Sequence, residues 1–325
     1  MKIANNDMKK NGNDKLRRVT NKKIIKTERE EKLPNSKDAE CRNTNWEREL
    51  VRRVRMCHGG DSIFDFIDPK FKTYLLRRAR DEDNRYDDCC EGNTCHMCDQ
   101  RSAHDRNSWC ISFESVNAYE LKKYNNTKAL FSIIHEITKK NMKDMYNESN
   151  FLKRGWSSRK KLKELRSDRC KLILGFKRID NVKGDDVRSS HDEGKQPDFL
   201  HVVKSNDKQE MDMYLSKHQL ICFVHYRLTP DYYPYEKNIV CYLYEIQIVH
   251  EYTKMGIGKH LMDMLINMCR SINLNKIICT VLKKNVYALS FYKKKCAFQL
   301  DESSPDNFAS DGEPPCEYEI LKRQI

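Results

Sequence analysis

The chain has 325 residues, a formal net charge of +13, 34% charged residues and a mean hydropathy of −0.85. No apolar run approaches the roughly 20 residues of a membrane helix, and no apolar core follows the first charges as in a signal peptide. This composition is too polar for one globule, so we expect a disordered part beside a folded domain. The 14 cysteines then indicate a reducing compartment and mostly free thiols.

Residues 1–45 predict a disordered basic tail. Within residues 1–26, nine Lys or Arg face two Asp, so a net charge of +7 lies there. A solvated tail and a segment that attracts nucleic acid, ribosome or chromatin are both compatible with this pattern. The basic residues come in spaced pairs, which leaves a nuclear import signal open.

Residues 46–106 predict an N-terminal extension with a cysteine-rich segment. Apolar residues between positions 46 and 85 carry helical patterning and predict helices that cover the domain behind them. The zinc candidates in this extension are Cys89, Cys95, Cys98 and His104. Structural zinc usually takes two Cys-x-x-Cys-like pairs that are further apart, so unligated thiols remain the alternative and we expect no metal.

Residues 107–325 predict one α/β domain. Trp109–Val116 predicts its first strand, and apolar residues at helical spacing predict a helix over Ala129–Tyr146. Lys171–Phe176 and Gln219–Tyr226 predict an antiparallel pair of strands. Between that pair, a polar stretch at about 177–217 predicts a disordered, low-complexity insert without a catalytic role, because long surface insertions cost little loop entropy.

Phe199–Val203, inside this insert, predicts an additional edge strand. The insert as a whole lacks the apolar residues that packing requires. We therefore expect that its replacement by a short turn leaves activity largely intact.

Ile239–Phe298 is the most informative stretch. Ile239–Ile248 is apolar on both faces and predicts a buried strand. Gly256-Ile257-Gly258 follows, then apolar residues at helical spacing, the β-branched strand Lys276–Val281, and Asn285 opening a second helix. A helix that starts directly on a glycine turn presents free N–H groups and the positive end of its dipole, which together bind phosphate.

Gly-x-Gly alone is a weak signal, but its continuation resembles the acyl-CoA-binding half of the GNAT acetyltransferases. That pattern is Gln/Arg-x-x-Gly-x-Gly/Ala, followed by Asn-x-x-Ala-x-x-Phe-Tyr-x-x-x-Gly-Phe. This chain has Thr253 in place of Gln or Arg, which removes one side-chain contact but leaves the backbone turn. Ala297 replaces the last Gly of the pattern.

The chain also resembles the D-type N-terminal acetyltransferases (NatD) over roughly residues 107–325. The resemblance lies in Tyr242–Gln247, in Gly155-Trp156, in His225-Tyr226-Arg227 and in Asp301–Pro305 with Tyr318–Leu321. It implies a GNAT acetyltransferase fold: an α/β fold with a mixed, splayed central sheet flanked by helices, here behind a partly disordered N-terminal extension. It also implies transfer of acetyl from acetyl-CoA to the N-terminal amine of histone 4 and histone 2A type tails that start Ser-Gly-Arg-Gly.

The resemblance and the free N–H groups of the turn together define an expected acetyl-CoA site. Its residues are Ile246, Gln247, Ile248, Lys254, Met255, Gly256, Ile257, Gly258, Lys259, Thr280 and Asn285. The amides of Met255–Lys259 would hold the pyrophosphate.

Glu245 is the candidate catalytic base, with Tyr244 and Tyr292 as further catalytic candidates. A charge in the middle of an apolar strand is costly unless it is paired or used, so a salt bridge at the sheet is the alternative for Glu245. An α-amino group with a pKa of about 7.7–8.0 needs only a weak base. Tyr292 stands where many acetyltransferases protonate the leaving thiolate, and core packing is its alternative.

The expected peptide site holds Tyr146, Trp156, Asp231, Tyr242, Tyr244 and Tyr318. Trp156 would form the wall around a small first residue, and Asp231 would contact the arginine of the peptide.

Two other functions compete: a GNAT enzyme acting on other N-termini or on lysine side chains, and a catalytically silent module that binds nucleic acid or chromatin. Histone tails are the expected partners, without a membrane partner, and the expected location is cytoplasmic and nuclear.

Overall fold

A mixed eight-stranded sheet forms the centre of the computed structural model, which describes residues 62–77, 108–149, 155–179, 198–232, 235, 238–308 and 315–325. These residues belong to one unit that extends from residue 50 to residue 325. The predicted basic tail and the zinc candidates Cys89, Cys95, Cys98 and His104 lie outside the described residues. The cysteines inside the described ranges carry free thiols.

The strands, in chain order, are β1 (Thr73–Arg77), β2 (Ser108–Asn117), β3 (Lys171–Arg178), β4 (His218–Pro230), β5 (Ile239–Ile248), β6 (Lys276–Leu282), β7 (Gln299–Leu300) and β8 (Tyr318–Gln324). The α-helices within the described ranges are α1 (Ala118–Leu121), α2 (Lys128–Glu148), α3 (Ser158–Leu165), α4 (Phe199–Ser205), α5 (Lys208–Lys217), α6 (Ile257–Ser271) and α7 (Val286–Ser290). A π-helical turn, Phe291–Lys295, continues α7. Over the described residues, we find no helix that combines the length and apolar character needed to cross a membrane.

The strand order is β1-β2-β3-β4-β5-β6-β8-β7, and β5 with β6 is the parallel pair among these neighbours. A parallel pair requires a crossover, which α6 provides. β5 and β6 pair only from Cys241–Leu243 to Ile277–Cys279 and separate beyond these residues. Among the described residues, no strand therefore lies beside the second half of β5 on the β6 side, which opens the sheet at its centre.

Two apolar clusters cover the two faces of the sheet. Leu172 and Leu174 pack in a cluster with α2, α4 and α5, whereas Ile173 between them packs in a cluster with α6. Alternate side chains of a strand point to opposite faces, so β3 contributes to both clusters. The helices thus flank the sheet on both sides, as the sequence predicts.

The predicted strand, helix and strand order around the glycine turn is confirmed. β5 has the predicted bounds, α2 contains the predicted helix, and β3 and β4 are antiparallel. Trp109–Val116 lies in β2, which is the first strand after residue 107 as predicted, although β1 of the extension precedes it in the sheet.

The predicted insert is wrong for its last 20 residues, 198–217. Phe199, Val202 and Met211 are buried, and the stretch folds as α4 and α5 instead of a disordered segment with an edge strand. The ring of Phe199 lies 5.3 Å from that of Phe176 on β3. Removal of the whole insert would expose this cluster, so we no longer expect it to be dispensable. Residues 180–197 of the insert are outside the described residues.

The extension before residue 107 contributes a strand to the sheet. Residues 73–77 form β1, which pairs with β2, so the helical prediction is wrong there. Two short 3₁₀ turns, Ile63–Asp65 and Pro69–Lys72, precede it. Ile63, Ile67 and Leu76 are buried in the cluster with α6, so the extension does cover the domain, as expected.

Candidate active site

The turn before α6 adopts left-handed backbone conformations. Lys254 has φ 62° and Gly256 has φ 81°, and α6 begins at the next residue, Ile257, without a side-chain cap. The first N–H groups of a helix have no intrahelical partners and lie at the positive end of the helix dipole. This end of α6 can therefore bind an anion through its backbone.

Protein atoms, rather than open space, lie against both glycines of the turn. A Cβ atom at Gly256 would stand 2.2 Å from the hydroxyl oxygen of Tyr74, and one at Gly258 would stand 3.2 Å from the ring of Phe291. Glycine is thus required at both positions because neighbouring side chains pack against them, in addition to the expected approach of a phosphate. Phe291 belongs to the Asn-x-x-Ala-x-x-Phe segment, so the two motifs of the sequence pack on each other.

Four of the predicted cofactor residues have side chains that already bind protein partners: Gln247, Lys259, Thr280 and Asn285. The ammonium of Lys259 lies 2.6 Å from Asp263, the Asn285 side chain caps α7 by accepting a hydrogen bond from Ala288 N, and Thr280 Oγ1 lies 2.6 Å from Tyr242 Oη. Lys254 is exposed. An anion at this turn would consequently meet backbone N–H groups first.

A β-bulge on β5 sets the direction of its side chains. His225 of β4 pairs with Glu245, but the next residue, Tyr226, pairs with Leu243, so Tyr244 is the additional residue. A bulge re-aims the side chains that follow it. Consistent with this shift, Leu243 and Ile246 both pack with the α6 cluster, three positions apart.

Glu245, on the opposite face, reaches a buried lysine of α3. Lys161 Nζ lies 2.6 Å from Glu245 and 2.7 Å from Glu164, and we name these three residues the Lys161 cluster. Gln247 Nε2 donates a hydrogen bond of 2.6 Å to the other oxygen of Glu245. Burial lowers the pKa of Lys161, but the two carboxylates outweigh it and raise the pKa well above its ordinary value, so the side chain is a cation.

The salt bridge of Glu245 limits the further interactions that its carboxylate can make. The sequence left a salt bridge and a catalytic base as alternatives, and the salt bridge is present. Each carboxylate oxygen still has a further lone pair, so the group can accept one more hydrogen bond from an incoming amine.

His225 and Arg227 lie beside Tyr244. The His225 ring stacks on Tyr244 at 4.7 Å, and the guanidinium carbon of Arg227 lies 4.3 Å from the centre of the Tyr244 ring. Arg227 Nε donates to His225 Nε2, so the ring proton belongs on Nδ1, which has no partner among the described residues. Complete burial, together with the charges of Arg227 and Lys161, lowers the pKa of His225 well below its ordinary value, so this histidine is neutral.

The predicted aromatic peptide site is partly assembled. The Trp156 ring lies 5.7 Å from Tyr146, whose ring centre is 5.6 Å from the Lys161 ammonium, and Tyr242 lies 4.6 Å from Tyr244. Tyr318 is buried on β8 in a small cluster with Leu282. Burial raises the pKa of the neighbouring Tyr232 to about 12, so its phenol is neutral.

Asp231 does not have the open position that contact with a peptide arginine needs. Its carboxylate lies 2.5 Å from Lys276 Nζ, which is also 3.2 Å from Asp301, and we name these residues the Lys276 cluster. All three side chains are buried. The structure therefore corrects the predicted role of Asp231, because burial of an aspartate is tolerated where a cation neutralises it.

Tyr292 lies in the apolar cluster with α6, with its ring 5.3 Å from Phe291 and from Phe298. Burial raises its pKa well above the ordinary value, with smaller contributions from Cys279, Cys296 and Glu245. The phenol is therefore neutral, the form that a proton donor requires. Core packing is confirmed, and the catalytic role stays a prediction.

Sequence reasoning missed Lys161, Glu164 and Tyr74. Lys161 precedes the buried Leu165 by one helical turn, so helical periodicity places it on the buried face of α3. A lysine on a buried face requires a carboxylate partner, and this signal could have found the cluster.

Residues 179–298 match the model of a family described as the acetyltransferase (GNAT) family. That segment contains the glycine turn, the separation of β5 from β6, and Glu245. This segment of the chain therefore resembles the GNAT acetyltransferases. The predicted GNAT fold, with its mixed and splayed sheet, is thereby confirmed.

Solved structures resemble this chain only weakly. Arabidopsis thaliana NAA60 in complex with a bisubstrate analogue has 13% identity and a TM-score of 0.37, covering 66% of this chain and 99% of that one. Arabidopsis thaliana Naa50 with the bisubstrate analogue CoA-Ac-MVNAL has 21% identity and a TM-score of 0.26, covering 33% and 66%. The NatC complex bound to Gag peptide and CoA has 12% identity and a TM-score of 0.37, covering 66% and 98%. The likeness to the GNAT family therefore rests on the family model over residues 179–298.

Proposed function

We propose that this GNAT protein transfers the acetyl group of acetyl-CoA to the α-amino group of a polypeptide N-terminus. The observation that carries the proposal is the separation of β5 from β6 beside the left-handed turn at Gly256. The turn offers N–H groups for the pyrophosphate of acetyl-CoA. The half of β5 beyond Leu243 pairs with β4 but not with β6 among the described residues, so it would offer backbone groups to the pantetheine and to the thioester carbonyl, where N–H donors favour acyl transfer.

The face of the sheet that carries Glu245 suits an acceptor amine that is partly unprotonated near neutral pH. An α-amino group has an ordinary pKa of about 7.7–8.0, against about 10.4 for a lysine side chain. A carboxylate that is paired with Lys161, such as Glu245, can orient this amine and act as the weak base that accepts its proton. The ring of Tyr146 lies 5.6 Å from the Lys161 ammonium and 5.7 Å from the ring of Trp156, and these two rings would line the site of a small first residue.

The reaction balances with these groups. The amine nitrogen forms the amide bond at the acetyl carbon, the carbon–sulfur bond breaks, and the surplus proton of the amine passes to Glu245 directly or through water. The leaving thiolate takes a proton from the neutral phenol of Tyr292 or from water.

The finer proposal is a NatD-type enzyme acting on Ser-Gly-Arg-Gly tails of histone 4 and histone 2A type. The Tyr242–Gln247 strand and Trp156 support it through their resemblance to NatD. Since Asp231 is bound to Lys276, the peptide arginine would need another acceptor, such as backbone carbonyl groups. We also propose that the basic N-terminal tail contacts ribosome, chromatin or nucleic acid, and that the enzyme works in cytoplasm and nucleus.

The test is an acetyl-transfer assay with radiolabelled acetyl-CoA and a peptide panel. The panel holds a free Ser-Gly-Arg-Gly peptide, the same peptide with a blocked N-terminus, and a free peptide that starts with Met. Label on the free Ser-Gly-Arg-Gly peptide alone is the expected result. Equal labelling of the Met peptide would contradict the NatD-type specificity. Labelling of the blocked peptide would contradict acetylation of the α-amino group. A protein that does not bind acetyl-CoA would contradict the proposed acetyltransferase activity.

A further inference from the structure

Residues 62–77, which precede the segment that matches the family model, are built into the fold. β1 pairs with β2 from Thr73–Ser112 to Arg77–Ser108, and Ile63 N donates a hydrogen bond of 2.9 Å to Ser115 Oγ. Ile63 and Leu76 are each 1% exposed. We name residues 62–77 the β1 segment.

The β1 segment touches the glycine turn through one side chain. Tyr74 Oη donates a hydrogen bond of 3.0 Å to the carbonyl oxygen of Met255, 181 residues further along the chain. The same hydroxyl occupies the space where a Cβ of Gly256 would be, 2.2 Å away. Tyr74 therefore lies directly against the turn that the proposed function assigns to the pyrophosphate.

The β1 segment also contacts the first turn of α6 through His260. The His260 ring lies 4.9 Å from Tyr74, 5.4 Å from Phe71 and 5.1 Å from Phe113 of β2. His260 Nε2 lies 3.2 Å from the carbonyl oxygen of Phe71. Burial lowers the pKa of His260, so the neutral ring donates its Nε2 proton to that carbonyl.

These contacts lie at a turn whose backbone conformation is strained. Met255 stands between Lys254 at φ 62° and Gly256 at φ 81°, and a non-glycine residue such as Lys254 is uncommon in this region. Strained residues persist where the surrounding structure over-determines them, often at ligand sites. The bond from Tyr74 to the Met255 carbonyl fixes the peptide plane in the middle of this turn, and hence the direction of the N–H groups that follow it.

We propose that Tyr74 is a positioning residue for acetyl-CoA and that the β1 segment forms part of the acetyl-CoA site. The inference rests on the proposed function and adds a support for the turn that lies outside the matched segment. Tyr74→Phe keeps the ring against His260 and removes only the hydroxyl. Loss of one hydrogen bond should raise the Kd for acetyl-CoA by about 3- to 10-fold. The kcat at saturating acetyl-CoA and the KM for peptide should stay unchanged.

Two further variants separate positioning from stability. Ser115→Ala removes the acceptor of Ile63 N, which loosens the same segment without touching the turn, and should leave the Kd for acetyl-CoA unchanged. Gly256→Ala should weaken acetyl-CoA binding strongly in the native background, because its Cβ meets the Tyr74 hydroxyl. In the Tyr74→Phe background the loss should be smaller, since the nearest remaining Tyr74 ring atom would be 3.3 Å away.

The experiment is calorimetric titration of acetyl-CoA into the full chain and these variants, with backbone hydrogen exchange of residues 255–259 without ligand. Faster exchange and weaker binding in Tyr74→Phe, with unchanged Ser115→Ala, support the inference. Native affinity and native exchange in Tyr74→Phe, or equal losses in Ser115→Ala, overturn it while the proposed function stands. Native protein that binds no acetyl-CoA overturns the proposed function and the cofactor role of Tyr74 together.

Discussion

Two buried lysines of this protein have nearly the same surroundings. Lys161 stands between Glu164 at 2.7 Å and Glu245 at 2.6 Å, and Lys276 stands between Asp231 at 2.5 Å and Asp301 at 3.2 Å. In both clusters the carboxylates outweigh burial and raise the pKa of the lysine. Charge chemistry alone therefore does not separate a catalytic cluster from a structural one.

The backbone beside each cluster does separate them. Lys276 opens β6, Asp231 follows β4 and Asp301 follows β7, so the Lys276 cluster ties strand ends together. Glu245 lies in the half of β5 that has separated from β6, with the aromatic rings of Tyr146 and Tyr244 nearby. We infer that the Lys161 cluster serves the reaction and the Lys276 cluster serves the fold.

The largest expected effect is a loss of kcat on substitution of Glu245 in the Lys161 cluster. Glu245→Gln keeps the shape of the side chain and removes its proton affinity, so kcat should fall by about 10²–10⁴-fold, the usual range for general-base assistance. Part of the loss should return at higher pH, where the α-amino group deprotonates unaided. Steady-state kinetics between pH 7 and 9 measures both.

Asp231→Asn is the matched control, since it makes the same carboxylate-to-amide change in the Lys276 cluster. Its folded fraction should keep a kcat close to that of the native protein. If both variants lose kcat equally, the distinction between the clusters fails.

The second prediction concerns Lys276. Lys276→Met leaves two buried carboxylates without a cation, which should lower the free energy of unfolding by about 3–5 kcal/mol near pH 7. Asp301 has a pKa held below 3.8: burial opposes this shift, and bonds from Ser303 and Lys276 outweigh it. A depressed folded-state pKa contributes stability above the unfolded value that is lost as pH falls through the folded value, so the two proteins should converge below about pH 3.8. Urea unfolding as a function of pH measures this, and an unchanged midpoint at pH 7 would contradict it.

Glu114 differs from the carboxylates of both clusters, since no salt bridge to it is found in the part of the chain that the structure describes. Burial, together with Asp198 and against a smaller effect of Lys72, raises its pKa from 4.5 to about 7. A raised folded-state pKa means that the native protein binds the proton more tightly, so stability falls as pH rises from 4.5 to 7. Glu114→Gln should therefore be more stable than the native protein at pH 8 by up to about 3 kcal/mol, with no advantage at pH 4.5. Equal gains in urea unfolding at both pH values would refute this.

The smallest expected effect belongs to an exposed lysine. Lys259 pairs with Asp263 one helical turn away, with 51% of its side chain exposed. Lys259→Ala should change the free energy of unfolding by less than about 0.5 kcal/mol and should leave acetyl-CoA affinity nearly unchanged, because such pairs are weak and the turn binds through its backbone. A large loss of affinity at low salt would instead make Lys259 a phosphate contact.

The sequence predicted the bounds of those helices and strands that are marked by a pattern of neighbouring residues. The bounds of β5 followed from ten residues that are apolar on both faces, and the start of α6 followed from Gly256. α4 and α5 were missed because polar and charged residues dominate the stretch 177–217 that contains them, although Phe199, Val202 and Val203 have helical spacing.

Within the candidate site, the sequence predicted only those residues whose type differs clearly from that of their neighbours in the chain. Glu245 is the acidic residue of an apolar strand, so its importance could be inferred, but its partner Lys161 lies 84 positions earlier. The bulge at Tyr244 depends on the pairing of β5 with β4, and the bond from Tyr74 to Met255 spans 181 positions. Contacts of this kind arise from the tertiary fold and leave no local pattern.

The most direct test of the central claim is a competition within one peptide. A Ser-Gly-Arg-Gly-Lys peptide offers an α-amino group and a lysine amine to the same enzyme, and tandem mass spectrometry after reaction with acetyl-CoA locates the acetyl group. We expect acetylation of the N-terminal serine by the native protein, with loss of that product in Glu245→Gln and its retention in Asp231→Asn. Acetylation of the lysine, or an unmodified peptide at saturating acetyl-CoA, would contradict it.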